Sequence, residues 1–216
     1  MAKRLFDILG ALAGLLVFGP AMILVAAAIV IEDGRSVFFR QPRLGRNRQL
    51  FTILKFRSMR DDQVTRVGRF LRATGLDELP QFVNILCGDM SAVGPRPLTV
   101  EDVTRLGWLT PRHDFRWRVA PGLTGLAQIM GPPPSRRALC LDRYYVARAT
   151  LGLDLRLIAL SFVVNAVGKT RVRRFLSFTI HRDPPLSDPA RSVARSVRRI
   201  DSPPACAHLW PSGRDR

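Results

Sequence analysis

The chain of 216 residues is long enough for one globular domain with additions at its ends. It carries 34 Lys and Arg residues against 17 Asp and Glu, and the resulting net charge of +17 favours an anionic partner such as nucleic acid, anionic lipid or a phosphorylated substrate, although Arg-rich codon usage would raise the charge without one. Three cysteines without CxxC spacing exclude a disulfide framework and a typical zinc site.

Residues 8–31 form an uncharged apolar segment that is long enough, at about 1.5 Å per residue, to cross a bilayer as a helix. Basic residues precede it, and segment 35–72 after it is dense in Arg, so both flanks have the composition of cytoplasmic segments. Pro20, preceded by Gly19, would kink the helix near its middle. A cleaved signal peptide and a simple transmembrane helix are alternatives, but a helix that bends at Pro20 and returns to the same side agrees best with both flanks.

Short strands and helices are predicted after the apolar segment. Segments 37–41 and 50–56 have the composition of two strands joined by a turn with Gly and Asn. Helices are predicted at 66–75, 77–86, 99–106 and 139–167, the last interrupted near Gly152. The helix at 66–75 has a basic face and an apolar face, which suits either a membrane interface or packing on the protein core.

Glycine and proline mark the segments between these helices. Segments 87–98 and 119–134 are rich in both residues and are predicted to be loops, the second around a short apolar stretch. From about residue 170 the chain is rich in Arg, Pro and Ser, which is typical of a disordered tail.

Four sequence stretches occur in one order along the chain: FFRQPRLGRNRQLFTILKFRSMR, GRFLRATGLDELPQFVNILCGDMSAVGPRPL, APGLTGLAQIMG and LDRYYVARATLGLDLRL. In that order and spacing they resemble the bacterial sugar transferases, the monotopic phosphoglycosyl transferases that begin polysaccharide or glycoconjugate assembly. The resemblance covers residues 3–167. It is to the short form of the family, rather than to the form with additional N-terminal transmembrane helices.

The resemblance implies a mostly helical α+β fold. Its expected parts are a re-entrant membrane helix hairpin over 1–33 broken at Pro20, a small cytoplasmic catalytic domain over 34–169 with amphipathic interfacial helices and a short β-hairpin, and the basic tail over 170–216. The implied location is the cytoplasmic face of the bacterial inner membrane, with residues 8–31 embedded. The break in the family is commonly Ser-Pro, so Gly19 here lacks a hydroxyl that would help to satisfy the bend.

The implied activity is transfer of a sugar phosphate from a nucleotide diphosphate sugar, usually a UDP-sugar, to polyprenyl phosphate, with release of UMP. This is the first membrane step of exopolysaccharide, capsule, O-antigen or glycoprotein glycan synthesis. Asp77 is the implied nucleophile, which forms an aspartyl-phosphosugar intermediate, and Glu78 with Asp77 would hold Mg²⁺. Inner-membrane phospholipid and downstream glycosyltransferases are further expected partners, and nucleic acid is not expected.

Other site residues follow from the same match. Arg72 would offset phosphate charge, or alternatively bind lipid phosphate at the interface. Arg96 is fixed between Pro95 and Pro97, which lowers the entropy lost when its guanidinium binds a substrate, although a rigid surface turn is an alternative. The remaining substrate-binding candidates are Gln128, which alternatively belongs to a plain structural loop, and Asp142, which alternatively forms a helix-surface salt bridge.

Three alternatives remain open at this stage. From spacing alone, Asp77 is as well explained as an N-cap of the helix that follows it. The net charge and the Arg-rich tail also fit a membrane-anchored nucleic-acid-binding protein, although no recognition motif is present. A catalytically silent scaffold of a polysaccharide assembly complex is the third alternative.

Overall fold

The computed structural model describes residues 1–34, 36–130 and 136–167, and within them the chain forms a mostly helical α+β fold with short sheets, as predicted. The helices are α1 (Ala2–Asp33), α2 (Arg66–Thr74), α3 (Gln81–Cys87), α4 (Val100–Arg105), α5 (Leu126–Met130), α6 (Arg136–Arg148) and α7 (Leu151–Val167). The strands are β1 (Phe38–Leu44), β2 (Leu50–Phe56), β3 (Met59–Arg60), β4 (Gln63–Val64), β5 (Ser91–Val93) and β6 (Gly122–Thr124). The predicted tail at 170–216 lies outside the described residues.

Helix α1 is the one helix in the described part of the chain that is long and apolar enough to cross a membrane. Only Asp7, Ala11 and Ile29 are buried along its 32 residues, so most of its apolar surface is exposed. The structure describes the segment as one helix with Pro20 inside it. A division into two half-helices at Pro20 therefore stays a prediction.

The N-terminal end of α1 is bound to the domain by buried polar groups. Lys3 Nζ donates to Asp154 Oδ2 at 2.5 Å, and Asp154 is completely buried on α7. The carboxylate of Asp7 accepts from the hydroxyl of Ser91 at 3.0 Å and from the backbone amide of Ala92 at 2.9 Å. This end of the apolar helix is thus fixed to β5 and α7.

The C-terminal end of α1 is bound to the same domain. The carboxylate of Glu32 accepts from the amides of Arg66 at 2.7 Å and Val67 at 2.9 Å. These amides are at the start of α2, where helix N–H groups have no partner inside the helix. Thr65 caps the same terminus by accepting from Gly68 N. Both ends of α1 therefore contact one folded unit.

The hairpin predicted near the start of the domain is formed by β1 and β2, which pair antiparallel from Phe38↔Phe56 to Leu44↔Leu50. Strand β2 spans the predicted residues. Strand β1 continues beyond residue 41, where the prediction ended, because Leu44 also pairs with Leu98 in an isolated bridge. This bridge connects the hairpin to the segment that carries Arg96.

Strands β5 and β6 form a parallel pair that the sequence did not predict, because both lie in segments predicted to be loops. Three glycines allow the close backbone approach. A Cβ on Gly122 would lie 2.0 Å from Gly94 N, and one on Gly125 would lie 2.1 Å from Gly94 O. Three-residue strands are too short to show the alternation by which strands are recognised in a sequence.

Two hydrophobic clusters pack against the segments that carry Arg96 and the acidic pair. Leu44, Leu98, Val103, Trp108 and Trp117 pack together beside the Arg96 segment. Ile29, Phe56 and Leu71 form a second cluster, against which Leu76 and Leu79 pack. The predicted interruption of the last helix is confirmed: α6 ends at Arg148, and Thr150 accepts from Leu153 N at the start of α7.

Candidate active site

The predicted nucleophile lies in a 3₁₀ turn, Leu76–Glu78, between α2 and α3. Gly75 ends α2 with φ of 76°, a backbone conformation that favours glycine, and this redirects the chain into the turn. Leu76 and Leu79 pack on the core on either side of the acidic pair. The hydrophobic contacts fix the turn, while Asp77 and Glu78 remain half-buried.

The structure does not support the capping alternative for Asp77. Helix α3 begins after Pro80, which is its N-cap residue, and no side chain caps it. Asp77 lies in a separate turn whose N-cap is Gly75. Helix capping therefore does not explain why two acidic residues occur at this position.

The electrostatic environment of Asp77 disfavours its charged form. Burial is the main cause of a raised pKa, and the negative charge of Glu78 raises it further. The positive charges of Lys55 and Arg72 act in the opposite direction. The nearby cations therefore offset the negative charge of Asp77 only in part. Such a carboxylate can form a bond to the phosphorus of a substrate phosphate whose own charge is offset by cations.

Lys55 is a site residue that the sequence analysis missed. Its Nζ donates to Glu78 Oε1 at 2.6 Å, from a position on β2 opposite Phe39. One sequence signal was available: a lysine inside the apolar strand LFTILKF is unusual unless its charge has a partner. Lys55 holds Glu78 in place and adds positive charge beside Asp77.

Arg72 is in the last turn of α2 and is exposed. Its Nε donates to the hydroxyl of Ser58 at 2.9 Å, and Ser58 is buried. This bond uses one of the five guanidinium donors, and among the described residues the other four have no hydrogen-bond acceptor, so they can contact an anion. The structure thus brings three predicted residues, Asp77, Glu78 and Arg72, to one place.

The two carboxylates also fit the predicted Mg²⁺. In the described part of the chain no three His, Cys, Asp or Glu side chains form a group that could hold a metal ion. Mg²⁺ commonly binds one or two carboxylates and completes its coordination with substrate phosphates and water. Asp77 and Glu78 supply two carboxylates of that kind and would need a phosphorylated substrate to complete the site.

Arg96 lies in the PRP loop (Pro95–Pro97), which follows β5. Two backbone bonds join the start of this segment to β6: Gly94, just before the loop, donates to Thr124 O at 3.0 Å, and Pro95 O accepts from Gly122 N at 2.9 Å. Arg96 is half-buried, and no described carboxylate lies within 4 Å of its guanidinium. The two prolines restrict the backbone of the loop, and the substrate-binding role of Pro95 and Pro97 stays a prediction.

Arg116 holds the PRP loop by a bond to its backbone, and the sequence analysis did not predict this residue either. Its Nη2 donates to the backbone carbonyl of Arg96, and its Nε donates to Asp142 Oδ2 at 3.0 Å. The guanidinium carbon lies 5.5 Å from the ring centroid of Trp108 and 5.1 Å from that of Trp117. The side chain is 3% exposed, so this is a buried, paired charge between two aromatic rings.

The predicted substrate-binding residues Arg96, Gln128 and Asp142 line one cavity of about 20 Å³, together with Arg116. That volume holds about one water molecule, not a sugar nucleotide. Asp142 is buried beside Arg116, and burial raises its pKa despite the positive charge of Arg116. Gln128 donates to Gly122 O at 3.3 Å. The two residues support the PRP loop in this arrangement.

The chain matches the family model described as bacterial sugar transferase over residues 1–168. It is 37% identical to the exopolysaccharide production protein PSS of Rhizobium leguminosarum bv. phaseoli, over 72% of this chain and 90% of that protein. It is 39% identical to the exopolysaccharide production protein ExoY of Rhizobium meliloti, over 73% and 82% respectively.

A third relative is the UDP-glucose:undecaprenyl-phosphate glucose-1-phosphate transferase of Caulobacter vibrioides, with 37% identity over 73% of this chain and 67% of that protein. The family match covers the whole described domain, including the Leu76–Glu78 turn and the PRP loop. The chain therefore belongs to the bacterial sugar transferase family and is a transferase.

Proposed function

We propose that the protein transfers a sugar phosphate from a UDP-sugar to polyprenyl phosphate and releases UMP. The observation that carries this proposal is the half-buried Asp77–Glu78 pair with Lys55 and Arg72 beside it. A phosphoryl transfer needs a nucleophile and positive charge at the same place, and Asp77 with the neighbouring Lys55 and Arg72 supplies both. The name of the Caulobacter relative supports undecaprenyl phosphate as the acceptor, and the names of the rhizobial relatives support a role in exopolysaccharide production.

The reaction proceeds in two displacements at phosphorus. In the first, an oxygen of the Asp77 carboxylate forms a bond to the sugar-linked phosphorus, and the bond to the bridging oxygen breaks, so that UMP leaves with the electron pair. In the second, an oxygen of polyprenyl phosphate attacks the same phosphorus and the Asp77 carboxylate leaves. An acyl phosphate is reactive enough for this second step, and ping-pong kinetics follow.

The surrounding residues make the first displacement possible. Lys55 and Arg72 reduce the repulsion between the Asp77 carboxylate and the incoming phosphate, because both place positive charge beside it. Glu78, oriented by Lys55, would hold Mg²⁺ together with Asp77 and the donor diphosphate. When bound, Mg²⁺ supplies positive charge that stabilises the transferring phosphoryl group and the leaving phosphate.

The activity assay combines purified protein in detergent with UDP-sugars, polyprenyl phosphate and Mg²⁺, and measures UMP. Asp77→Asn should release no UMP above background. Asp62→Asn is the matched control, because Asp62 is exposed and its φ of 62° is one that asparagine tolerates. Transfer by Asp77→Asn at the unaltered rate would refute the nucleophile, and an inactive unaltered protein with every donor would favour the scaffold alternative.

The arrangement of α1 supports a re-entrant topology with the domain on the cytoplasmic face of the inner membrane. Both ends of the helix contact the same domain, whereas a helix that crosses the bilayer places its ends on opposite sides. Phospholipid would then surround the exposed apolar side chains of residues 8–31. Downstream glycosyltransferases are the proposed recipients of the product.

Cysteine labelling tests this topology. Ala2→Cys and Ser36→Cys, placed in a background without native cysteines, should both react with an impermeant maleimide in inverted vesicles and neither in right-side-out vesicles. A transmembrane helix would instead expose one position in each preparation. The labelling is independent of catalytic activity.

A further inference from the structure

Arg43 lies at the end of β1, next to the PRP loop. Leu44, the following residue, pairs with Leu98, which follows the loop, and its amide donates to the Leu98 carbonyl at 2.9 Å. The Arg43 Nη1 donates to the Pro97 carbonyl at 3.4 Å. Its Nη2 donates to Gln41 Oε1 at 2.5 Å, since residues two apart in a strand share a face. The side chain is thus held against the loop by neutral oxygens.

The charge of Arg43 has no counter-ion in the described part of the chain. No described carboxylate lies within 4 Å of its guanidinium, and its Nε is buried without a hydrogen-bond partner. Arg116, on the other side of the same loop, has Asp142 as its counter-ion. Withdrawal of a guanidinium from water without a counter-ion is unfavourable, and Arg does not relieve it by losing a proton. An anion from outside the chain would do so.

Arg96 is a second cation close to Arg43, and it too has no described carboxylate within 4 Å. Burial is the main cause of a lowered pKa at Arg43, and the positive charge of Arg96 lowers it further. The charges of three carboxylates, among them Glu78, act in the opposite direction. Arg43 is therefore within electrostatic range of Arg96 in the PRP loop and of Glu78 in the Leu76–Glu78 turn.

We propose that Arg43 and Arg96 together bind the diphosphate of the nucleotide-sugar donor, with Arg43 as the second guanidinium of that site. The inference rests on the proposed function. Two guanidinium groups that repel each other in the free protein match two linked phosphate groups, and each can form parallel hydrogen bonds to phosphate oxygens. The acceptor monophosphate offers the same chemistry but a single phosphate, so the donor is the inferred ligand.

The test measures UDP binding by calorimetry to full-length protein in detergent, together with the KM for donor and acceptor. The variants are Arg43→Gln and Arg43→Lys. Arg40→Gln is the matched control, because Arg40 is exposed on the same strand and lies an odd number of residues away, on the opposite face. UDP is the probe because its binding needs no turnover.

Arg43→Gln should weaken UDP binding by about 10- to 100-fold, the range for loss of a charge-assisted hydrogen bond. Arg43→Lys should recover part of the affinity, and Arg40→Gln should bind UDP as the unaltered protein does. The thermal midpoint of Arg43→Gln should not fall, since an uncompensated charge is removed. Unchanged UDP affinity in Arg43→Gln would overturn the inference, and so would a raised acceptor KM with normal UDP affinity, which assigns Arg43 to the acceptor phosphate.

The two proposals fail in different ways. An unaltered protein that releases UMP while Arg43→Gln binds UDP normally contradicts only the assignment of Arg43. An unaltered protein that binds UDP through Arg43 but forms no product with any donor contradicts the proposed function and supports the diphosphate site.

Discussion

At the Leu76–Glu78 turn, Asp77 and Glu78 are half-buried and the cations beside them only partly compensate their charges, whereas next to the PRP loop Arg116 and Asp142 are buried and paired with each other. Both regions contain an acidic residue whose pKa is raised mainly by burial. They differ in what opposes that shift. Asp142 has a guanidinium within hydrogen-bond distance. At the turn Lys55 forms its ion pair with Glu78, and Asp77 has no direct partner among the described cations.

This difference distinguishes the structural ion pair of Arg116 and Asp142 from the acidic pair that we propose to be reactive. Arg116 and Asp142 neutralise each other, so the pair is stable in the protein interior. From that position Arg116 donates a hydrogen bond to the backbone carbonyl of Arg96 and holds it in place. A carboxylate without a direct counter-ion can attack a phosphorus centre without first breaking a salt bridge. The expected effects of substitution therefore differ between the regions in stability and in activity.

The largest expected effect is on stability at the buried pair. Asp142→Asn should lower the free energy of unfolding by about 3–5 kcal/mol, because it leaves the Arg116 charge buried without a counter-ion. Asp77→Asn should lower it by nothing measurable, since it removes a poorly compensated charge. Denaturant unfolding of both variants in the same detergent makes the comparison.

The control for the buried pair removes both charges at once. Arg116→Met combined with Asp142→Leu should be more stable than Asp142→Asn alone, since no unpaired charge remains. Equal loss of stability in Asp142→Asn and Asp77→Asn would contradict the distinction between the two regions.

A smaller effect on activity is expected at Lys55. Lys55→Gln should lower the rate of UMP release by about 10- to 100-fold, because it removes a charge-assisted bond to Glu78 and positive charge beside Asp77. Steady-state assays with saturating donor measure it. The control is Arg46→Gln, an exposed cation in the hairpin turn, which should leave the rate unchanged.

The pH dependence of the first displacement should report the raised pKa of Asp77. Below that pKa the carboxyl is protonated, so single-turnover UMP release should fall by about tenfold per pH unit. Arg72→Gln should move this limb to higher pH, because the Arg72 charge opposes the shift. An unmoved limb would show that Arg72 acts elsewhere.

The same pKa has a consequence for stability, with a definite sign. Asp77 binds its proton more tightly in the folded protein than in the unfolded chain, whose value is near 3.8. Its contribution to folding is therefore favourable in acid and is lost as the pH rises through the folded-state pKa. Asp77→Asn should remove this component from the pH dependence of the unfolding free energy.

The smallest expected effect is at Ser58. Ser58→Ala removes the bond to Arg72 Nε and should raise the donor KM by about 2- to 10-fold, the range for a single hydrogen bond. The first-order rate of the bound complex should change less than the KM, since Arg72 remains present but less well oriented. Equal loss in a Ser58→Ala, Arg72→Gln double variant and in Arg72→Gln alone would confirm that Ser58 acts through Arg72.

The sequence predicted the elements whose apolar spacing is long enough to show a period, and it placed the acidic pair by resemblance to a known family. Strand β2 and helix α2 were predicted in this way, and the break before α7 was predicted near Gly152. Strands β5 and β6 were missed, because a parallel pair held by glycines depends on backbone contacts far apart in sequence. Lys55 and Arg116 were missed because their partners, Glu78 and Asp142, lie more than 20 residues away.

The attachment of α1 at both ends has a consequence for how the chain folds. Lys3 is synthesised before its partner Asp154, which is 151 residues later in the chain. The apolar helix can enter the membrane early, yet the domain reaches its final contacts only after α7 has been synthesised. Deletion of α1 to obtain a soluble fragment would remove the Asp7 carboxylate that accepts from Ser91 and the Lys3 charge that is paired with the buried Asp154. Helix α1, which is long and apolar enough to cross a membrane, is thus also a part of the folded domain on which buried polar groups depend.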